Sequence, residues 1–178
     1  YPSMNLAVRK KDFKKIKGFD SSYWPGEDTK LCLDLTHKLN KKIIYDPKVL
    51  VFHHRRPLWI PHLRQNGNYG LHRGFFAKVL PETSLRLIYF LPSLMVLGLL
   101  FLLFPFPHSG LVITMLKKIC GHLFLTYFIV LTANAWWILS KSKKINQALL
   151  SIPVIFITHL WYGTRFIQGL LFTNKLSR

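Results

Sequence analysis

Leu87–Phe104 reads LIYFLPSLMVLGLLFLLF, eighteen residues without a charge. Two further apolar runs follow it. Ile119–Ser140 has twenty-two residues with His122 as its one titratable base, and Leu149–Phe172 has twenty-four, interrupted by His159 and Arg165. A bilayer core about 30 Å thick takes roughly 20 helical residues, so the first two runs predict transmembrane helices. The third admits more than one placement. An arginine at mid-bilayer costs on the order of 3 kcal/mol on insertion scales, so Arg165 is expected to snorkel, to line the protein interior, or to mark a tilted or partly interfacial helix. Pro92 and Pro153 fall in the first turns of their runs, where a missing N–H does least harm.

Outward from these runs, the charge of the 178-residue chain divides at residue 83. There are 25 Lys and Arg against 7 Asp and Glu, for a formal charge of +18. All seven acids (Asp12, Asp20, Glu27, Asp28, Asp34, Asp46 and Glu82) precede that point, with sixteen of the basic residues, leaving +9 on each side. The first half is mixed in charge and punctuated by Gly and Pro, as a water-soluble segment requires; the second is acid-free. The division gives 1–84 as a soluble portion and 85–178 as a transmembrane helical region, with spans near 87–104, 119–140 and 149–172. Lys117-Lys118 and Lys141-Ser142-Lys143-Lys144 punctuate the spans. A soluble half in the cytoplasm puts the second cluster inside, as the positive-inside rule asks, with Lys117 and Lys118 as mild exceptions. The two cysteines, Cys32 and Cys120, lie too far apart for a C-x-x-C zinc or redox site. Half of the excess charge flanks membrane runs, and the soluble half has no basic stripe with interleaved aromatics, so nucleic acid is not expected as a partner.

In the soluble half, Asn5–Val8 is a short strand candidate, followed by a basic helix over Lys10–Lys17 that stops at Gly18. Phe19–Gly26 is rich in turn formers and reads as a loop. Glu27-Asp28 opens a helix to about Asn40, with Leu31, Leu35 and Leu39 on one face. Ile43–Tyr45 and Val49–His53 are strand-like around Asp46-Pro47, and a helical stretch from Leu58 to about Leu80 leads to the membrane.

Three groups of residues carry chemical potential. An acid at a helix N-terminus is ordinarily a cap, but Glu27 and Asp28 are adjacent after the Tyr23-Trp24-Pro25-Gly26 turn, so one carboxylate can cap while the other faces a cleft as a general base. His53-His54-Arg55-Arg56 is either a solvated strand edge, a contact with anionic lipid headgroups, or an anion clamp in which a neutral His could also ligate a divalent ion. His159, Tyr162, Gly163 and Arg165 form a polar patch in the last run, where Arg165 either meets a lipid phosphate or snorkels without a ligand.

Taken in order, Asn5-Leu6-Ala7-Val8-Arg9-Lys10, Gly18-Phe19-Asp20, Pro25-Gly26-Glu27-Asp28, Lys42-Ile43-Ile44-Tyr45-Asp46-Pro47 and Val51-Phe52-His53-His54-Arg55-Arg56 resemble the C-terminal part of the family 2 glycosyltransferases with membrane helices after the catalytic domain. Arg64-Gln65-Asn66-Gly67-Asn68-Tyr69-Gly70 is similar to that family's helix beneath the active site. The resemblance implies an α/β fold, the acceptor-side part of a GT-A (Rossmann-like) domain, followed by about three transmembrane α-helices. It implies an inverting transfer of one sugar at a time from a nucleotide-diphosphate sugar to a lipid-linked or envelope polysaccharide acceptor, at the inner membrane with the catalytic part cytoplasmic. Asp28 would be the base and Glu27 its neighbour orienting the acceptor. His53, Arg55, Arg56, Arg64 and Gln65 would face the donor diphosphate, with His53 a possible metal ligand. Asn5, Arg9, Trp24 and Gly26 would lie by the acceptor or sugar. A divalent Mg or Mn ion is implied, its main ligands absent because the chain has no Asp-x-Asp; the chain is accordingly expected to be a fragment, inactive alone. Gln65 is followed by Asn66-Gly67-Asn68-Tyr69 rather than by a Q-x-x-R-W motif, which disfavours a polymerising synthase. The competing expectation is a non-catalytic basic membrane protein whose soluble half docks on anionic lipid or on a partner in an envelope assembly.

Overall fold

The computed structural model describes residues 5–24, 26–52, 54, 57–106 and 110–176, and among them the chain is helical. Helix α1 spans Lys10–Lys15, α2 Glu27–Leu33, α3 Ile60–Val79, α4 Pro81–Ser84, α5 Leu87–Leu103, α6 Leu111–Ser142 and α7 Ile145–Ile167. A π-helical turn extends α2 over Asp34–Lys38, and another extends α7 over Gln168–Phe172.

Helix α1 carries Asp12 in its first turn and Lys14 and Lys15 in its last, complementing its dipole. It ends where Lys17 and Gly18 turn left-handed (φ +63° and +75°) and the Gly18 N–H donates to the Phe13 carbonyl at 2.9 Å. Helix α2 buries Leu31, Cys32 and Leu35. Asp34, on the same helix, is buried between Lys30 and Lys38, the latter at 3.0 Å. A core of Phe75, Phe76, Leu80 and Leu176, joined by Tyr23, Leu33 and Leu71, fastens α2 to α3 and to the C-terminal segment.

No β-strand occurs among the described residues. The expected α/β fold is therefore corrected to a purely α-helical one, and the GT-A resemblance does not extend to the structure. Asn5–Val8, Ile43–Tyr45 and Val49–Phe52 do not pair, and His53 lies outside the described residues. The physical reason is cooperativity. Two or three short strands hold only when a hydrophobic face is covered, and here Ile44, Tyr45, Leu50 and Phe52 are exposed, Phe52 fully. One side-chain bond, from Asn5 Nδ2 to the Val49 carbonyl at 3.2 Å, stands in place of a ladder.

The membrane region is built differently. Helices α6 and α7, the latter counted to Phe172, have 32 and 28 residues and are apolar enough to cross a bilayer. At 1.5 Å per residue they are about 48 and 42 Å long. Only 11% and 6% of their most apolar windows is buried, whereas the core helix of a water-soluble protein would be covered. Apolar surface on this scale marks contact with lipid, so the protein is a membrane-associated, multi-helix protein. Helix α5 is apolar but shorter, at 17 residues. Lys143 takes the left-handed conformation (φ +57°) and closes the tight α6–α7 turn. Tyr127 and Phe128 of α6 pack with tilted rings against Phe156 of α7, joining the two in an antiparallel hairpin.

Helix α3 lies along the C-terminal half of α7 and runs in the same direction, meeting it at His62–Thr158, Gly67–Trp161 and Gly74–Phe166 in turn. Glycines make the seam. A Cβ at Gly67 would strike the Trp161 ring, one at Gly70 the Tyr162 backbone, and one at Gly74 the Phe166 carbonyl. From the other side, Gly169 meets the Leu71 carbonyl, and Gly163 meets the Pro92 carbonyl of α5. Small residues three and four apart let helix backbones touch. Gly74→Ala or Gly163→Ala should therefore cost at least about 2 kcal/mol by overpacking. Gly121→Ala, where a Cβ meets nothing, should be neutral or stabilising by up to about 1 kcal/mol. Thermal melts of the detergent-solubilised chain followed by far-UV circular dichroism check the contrast, and equal melts for all three would refute the seam.

Candidate functional site

The α3–α7 seam collects polar side chains around its glycines. His62 of α3 bonds Thr158 Oγ1 of α7 at 3.1 Å, and Asn66 Nδ2 donates to the His62 carbonyl at 2.9 Å. Ser93 Oγ of α5 donates to the Gly163 carbonyl at 3.1 Å. Tyr127 Oη meets His159 Nδ1 at 2.9 Å across the hairpin. These bonds satisfy groups that would otherwise face hydrocarbon. Arg73, at the soluble end of the seam, bonds Ser84 Oγ at 3.2 Å and lies 4.8 Å from the centre of the Tyr89 ring, tying α3 to α4 and α5.

On the outer flank of this seam, Arg64 of α3 and Arg165 of α7 line one groove of about 500 Å³, with Ile60, Leu63, Ile157 and Trp161 beneath them. Arg165 is held in place: its Nη1 donates to Gln168 Oε1 at 2.5 Å, and its guanidinium carbon lies 5.9 Å from the Trp161 ring centre. Gln65, next to Arg64 in sequence, instead donates to Tyr69 Oη at 2.9 Å. A second cavity of about 510 Å³ lies in the soluble half, where Asn5 and Arg9 share the lining with Asp12, Lys41, Lys42 and Tyr45.

The acids at the start of α2 line neither of these two cavities. Asp28 Oδ1 accepts from the Thr29 N–H at 2.7 Å, a local bond in the first helical turn. Glu27 Oε2 is buried with no hydrogen-bond partner among the described residues. Gly26 is buried where a Cβ would strike the Phe76 ring, while Trp24 is exposed. Of the proposed diphosphate cluster, His53, Arg55 and Arg56 lie outside the described residues. Thus Asn5 and Arg9 come together, Arg64 joins Arg165, and Asp28 and Glu27 stand apart from both groups.

The enzymatic expectation is overturned with the fold. A nucleotide-diphosphate sugar would bind at the carboxyl edge of a parallel sheet, and no strand exists among the described residues to supply that edge. The glycosyltransferase and nucleotide-sugar assignments are withdrawn in favour of a helical membrane protein. In sequence Arg165 stands out as a charge in an apolar run, and the resemblance sets Arg64 apart from it; the fold brings the two to one groove. The signal is present as the Gly67, Gly70, Gly74 spacing on α3 against Gly169 at the end of α7.

Asp34 illustrates the electrostatics of the soluble half. Burial would raise its carboxyl, but hydrogen bonds and charge from Lys30 and Lys38 outweigh it and hold the group below its usual range. His72, half-buried on α3, shows the opposite case: burial, reinforced by the Arg165 charge, pushes its imidazole down to about 4 from 6.5. Above pH 6.5 the ring is neutral in both the folded and unfolded chain. As pH falls below 6.5 the unfolded chain takes a proton that the folded one refuses until about pH 4, so stability is lost across that window. Allowing for solvent screening of a partly exposed ring, His72→Gln should remove about 1–2 kcal/mol of that loss. Melts of wild type and variant between those two pH values test it; parallel pH profiles would show that His72 does not titrate this way. No protein-family model, curated protein or solved structure matches the chain.

Proposed function

We propose that the chain is a non-catalytic, basic membrane protein of an envelope assembly, in which the helical unit anchors in the bilayer and the soluble half docks on its anionic surface. The observation that carries this reading is the pairing of two long apolar helices, almost unburied by protein, with a soluble half bearing sixteen Lys and Arg against seven acids. Each basic residue near an anionic bilayer surface contributes about 1 kcal/mol, and the attraction falls off within a Debye length. Helix α1 supplies Lys10, Lys11, Lys14 and Lys15 along six residues, and the extended segment that follows α2 exposes Lys41, Lys42 and Lys48 beside Ile44 and Phe52. Basic groups interleaved with exposed apolar ones suit a headgroup layer, where charge meets phosphate and rings enter the acyl boundary.

The soluble half is assigned to the cytoplasmic face of a multi-pass inner-membrane protein, which places Arg73, Lys78 and Arg86 inside beside α5. Membrane lipid is the partner. Nucleic acid is not, because the basic residues flank apolar helices and exposed aromatics rather than forming a groove-tracking stripe.

The test is amide hydrogen exchange of the whole chain in nanodiscs. Residues 10–48 should be protected when the bilayer contains phosphatidylglycerol, less so in pure phosphatidylcholine, and the difference should vanish near 0.5 M salt as screening shortens the field. Equal protection in both lipids at low salt would remove the docking reading.

A further inference from the structure

We infer that the groove between α3 and α7 binds the phosphate of an anionic phospholipid, with Arg64 and Arg165 as the two anion-holding groups; this deepens the lipid-docking reading above and rests on it. Two guanidiniums on different helices line the same groove. Neither α3 nor α7 contains an acidic residue, and no acid occurs anywhere after Glu82. Their charge is therefore not neutralised from within the helices that carry them. The ion pairs found among the described residues all centre on Asp34, far along the chain in α2's extension.

The groove is shaped for more than an inorganic ion. Its lining is mostly aliphatic and aromatic, from Ile60, Leu63, Ile157 and Trp161, with Asn68 as the one polar side chain besides the two arginines. Its volume falls within the roughly 300–1,000 Å³ of small-ligand sites. It opens on the lipid-facing flank of α7, where Ile157, Trp161 and Leu171 are exposed. A phospholipid satisfies both halves of this chemistry at once. The phosphate oxygens accept charge-assisted bonds from two planar forks, and the start of an acyl chain covers the apolar floor. Free phosphate would leave that floor bare. A choline headgroup would bring a cation against two arginines, so the site selects an anionic lipid over a zwitterionic one.

Arg165 is also pre-positioned. The bond to Gln168 and the contact with Trp161 fix its guanidinium before a ligand arrives, which lowers the ordering cost of binding. Its place on α7 resolves the difficulty of an arginine in an apolar run: it lies in the last turn of α7, beside the polar helix α3.

The experiment is native mass spectrometry of the full chain released from nanodiscs of mixed phosphatidylglycerol and phosphatidylcholine. Wild type should retain phosphatidylglycerol preferentially. Arg64→Gln with Arg165→Gln should lower that retention by about tenfold, while Lys141→Gln with Lys143→Gln, remote from the groove, should leave it unchanged. Arg64→Lys with Arg165→Lys keeps the charge and guards against a fold defect, and should retain an intermediate amount because the fork geometry is lost. Circular dichroism confirms that each variant is helical. Undiminished retention in the folded Gln pair, preference for phosphatidylcholine, or displacement of the lipid by excess inorganic phosphate would each overturn the proposal, the last by revealing a free-anion site. Exchange protection of residues 10–48, read in the same nanodiscs, reports surface docking separately, so either reading can fail while the other stands.

Discussion

The fold depends on one constraint: α3 and α7 must approach until their backbones touch. In water, two amphipathic helices associate because apolar side chains leave solvent. Within or beside a bilayer that drive is absent, since lipid tails are as apolar as leucine. What remains is dense packing and satisfied polar groups. Gly67, Gly70 and Gly74 on one helix and Gly169 on the other remove the side chains that would hold the axes apart. The gain is many weak dispersion contacts, each about 0.1–0.2 kcal/mol, together with bonds such as His62 to Thr158 that need short range. Glycine's helix penalty of about 1 kcal/mol is accepted at each of these positions because packing returns more.

Everything else is arranged around that seam. Helix α5 crosses α7 at Gly163, where the Ser93 hydroxyl finds a carbonyl, and Phe90 packs edge-on against Phe166, the most completely buried large side chain. At its far end, Lys117 of α6 donates to the Phe104 carbonyl at 2.8 Å and lies over the Phe106 ring. A cation there satisfies a terminal carbonyl and complements the α5 dipole. At the opposite end of α6, Trp136 and Trp137 are exposed one turn before Lys141, the sequence of an aromatic anchor followed by a charged loop that marks a membrane interface.

The parts legible in the sequence are those fixed by composition over a long window. The apolar runs and the helix-forming stretch after Leu58 each involve about twenty residues, and the acid-free second half many more, so no short-range accident alters them. The soluble half was less legible because its reading rested on segments of three to five residues. Ile43–Tyr45 and Val49–Phe52 are β-prone by residue type, but a strand exists only through its neighbour, and neither segment names one. The order of short strings that resembled a glycosyltransferase carries the same weakness: it fixes spacing along the chain and leaves hydrogen-bond partners unspecified. The Arg64–Arg165 groove failed to appear for a different reason. The two residues are a hundred positions apart, and only the glycine seam, read as a pair of complementary helix faces, brings them together.

Charge then becomes a matter of the whole molecule rather than of one motif. With 25 basic residues and 7 acids, the chain cannot neutralise itself, and Asp34 already serves two lysines. A net charge so far from zero opposes compaction by self-repulsion. A water-soluble domain of this size and balance would weaken as ionic strength fell, when that repulsion reaches furthest. A chain fixed against an anionic surface behaves oppositely, because the surface supplies the missing countercharge and does so best when screening is weak. On the proposed docking, the same sequence feature that opposes compaction in solution would stabilise the soluble half at the membrane.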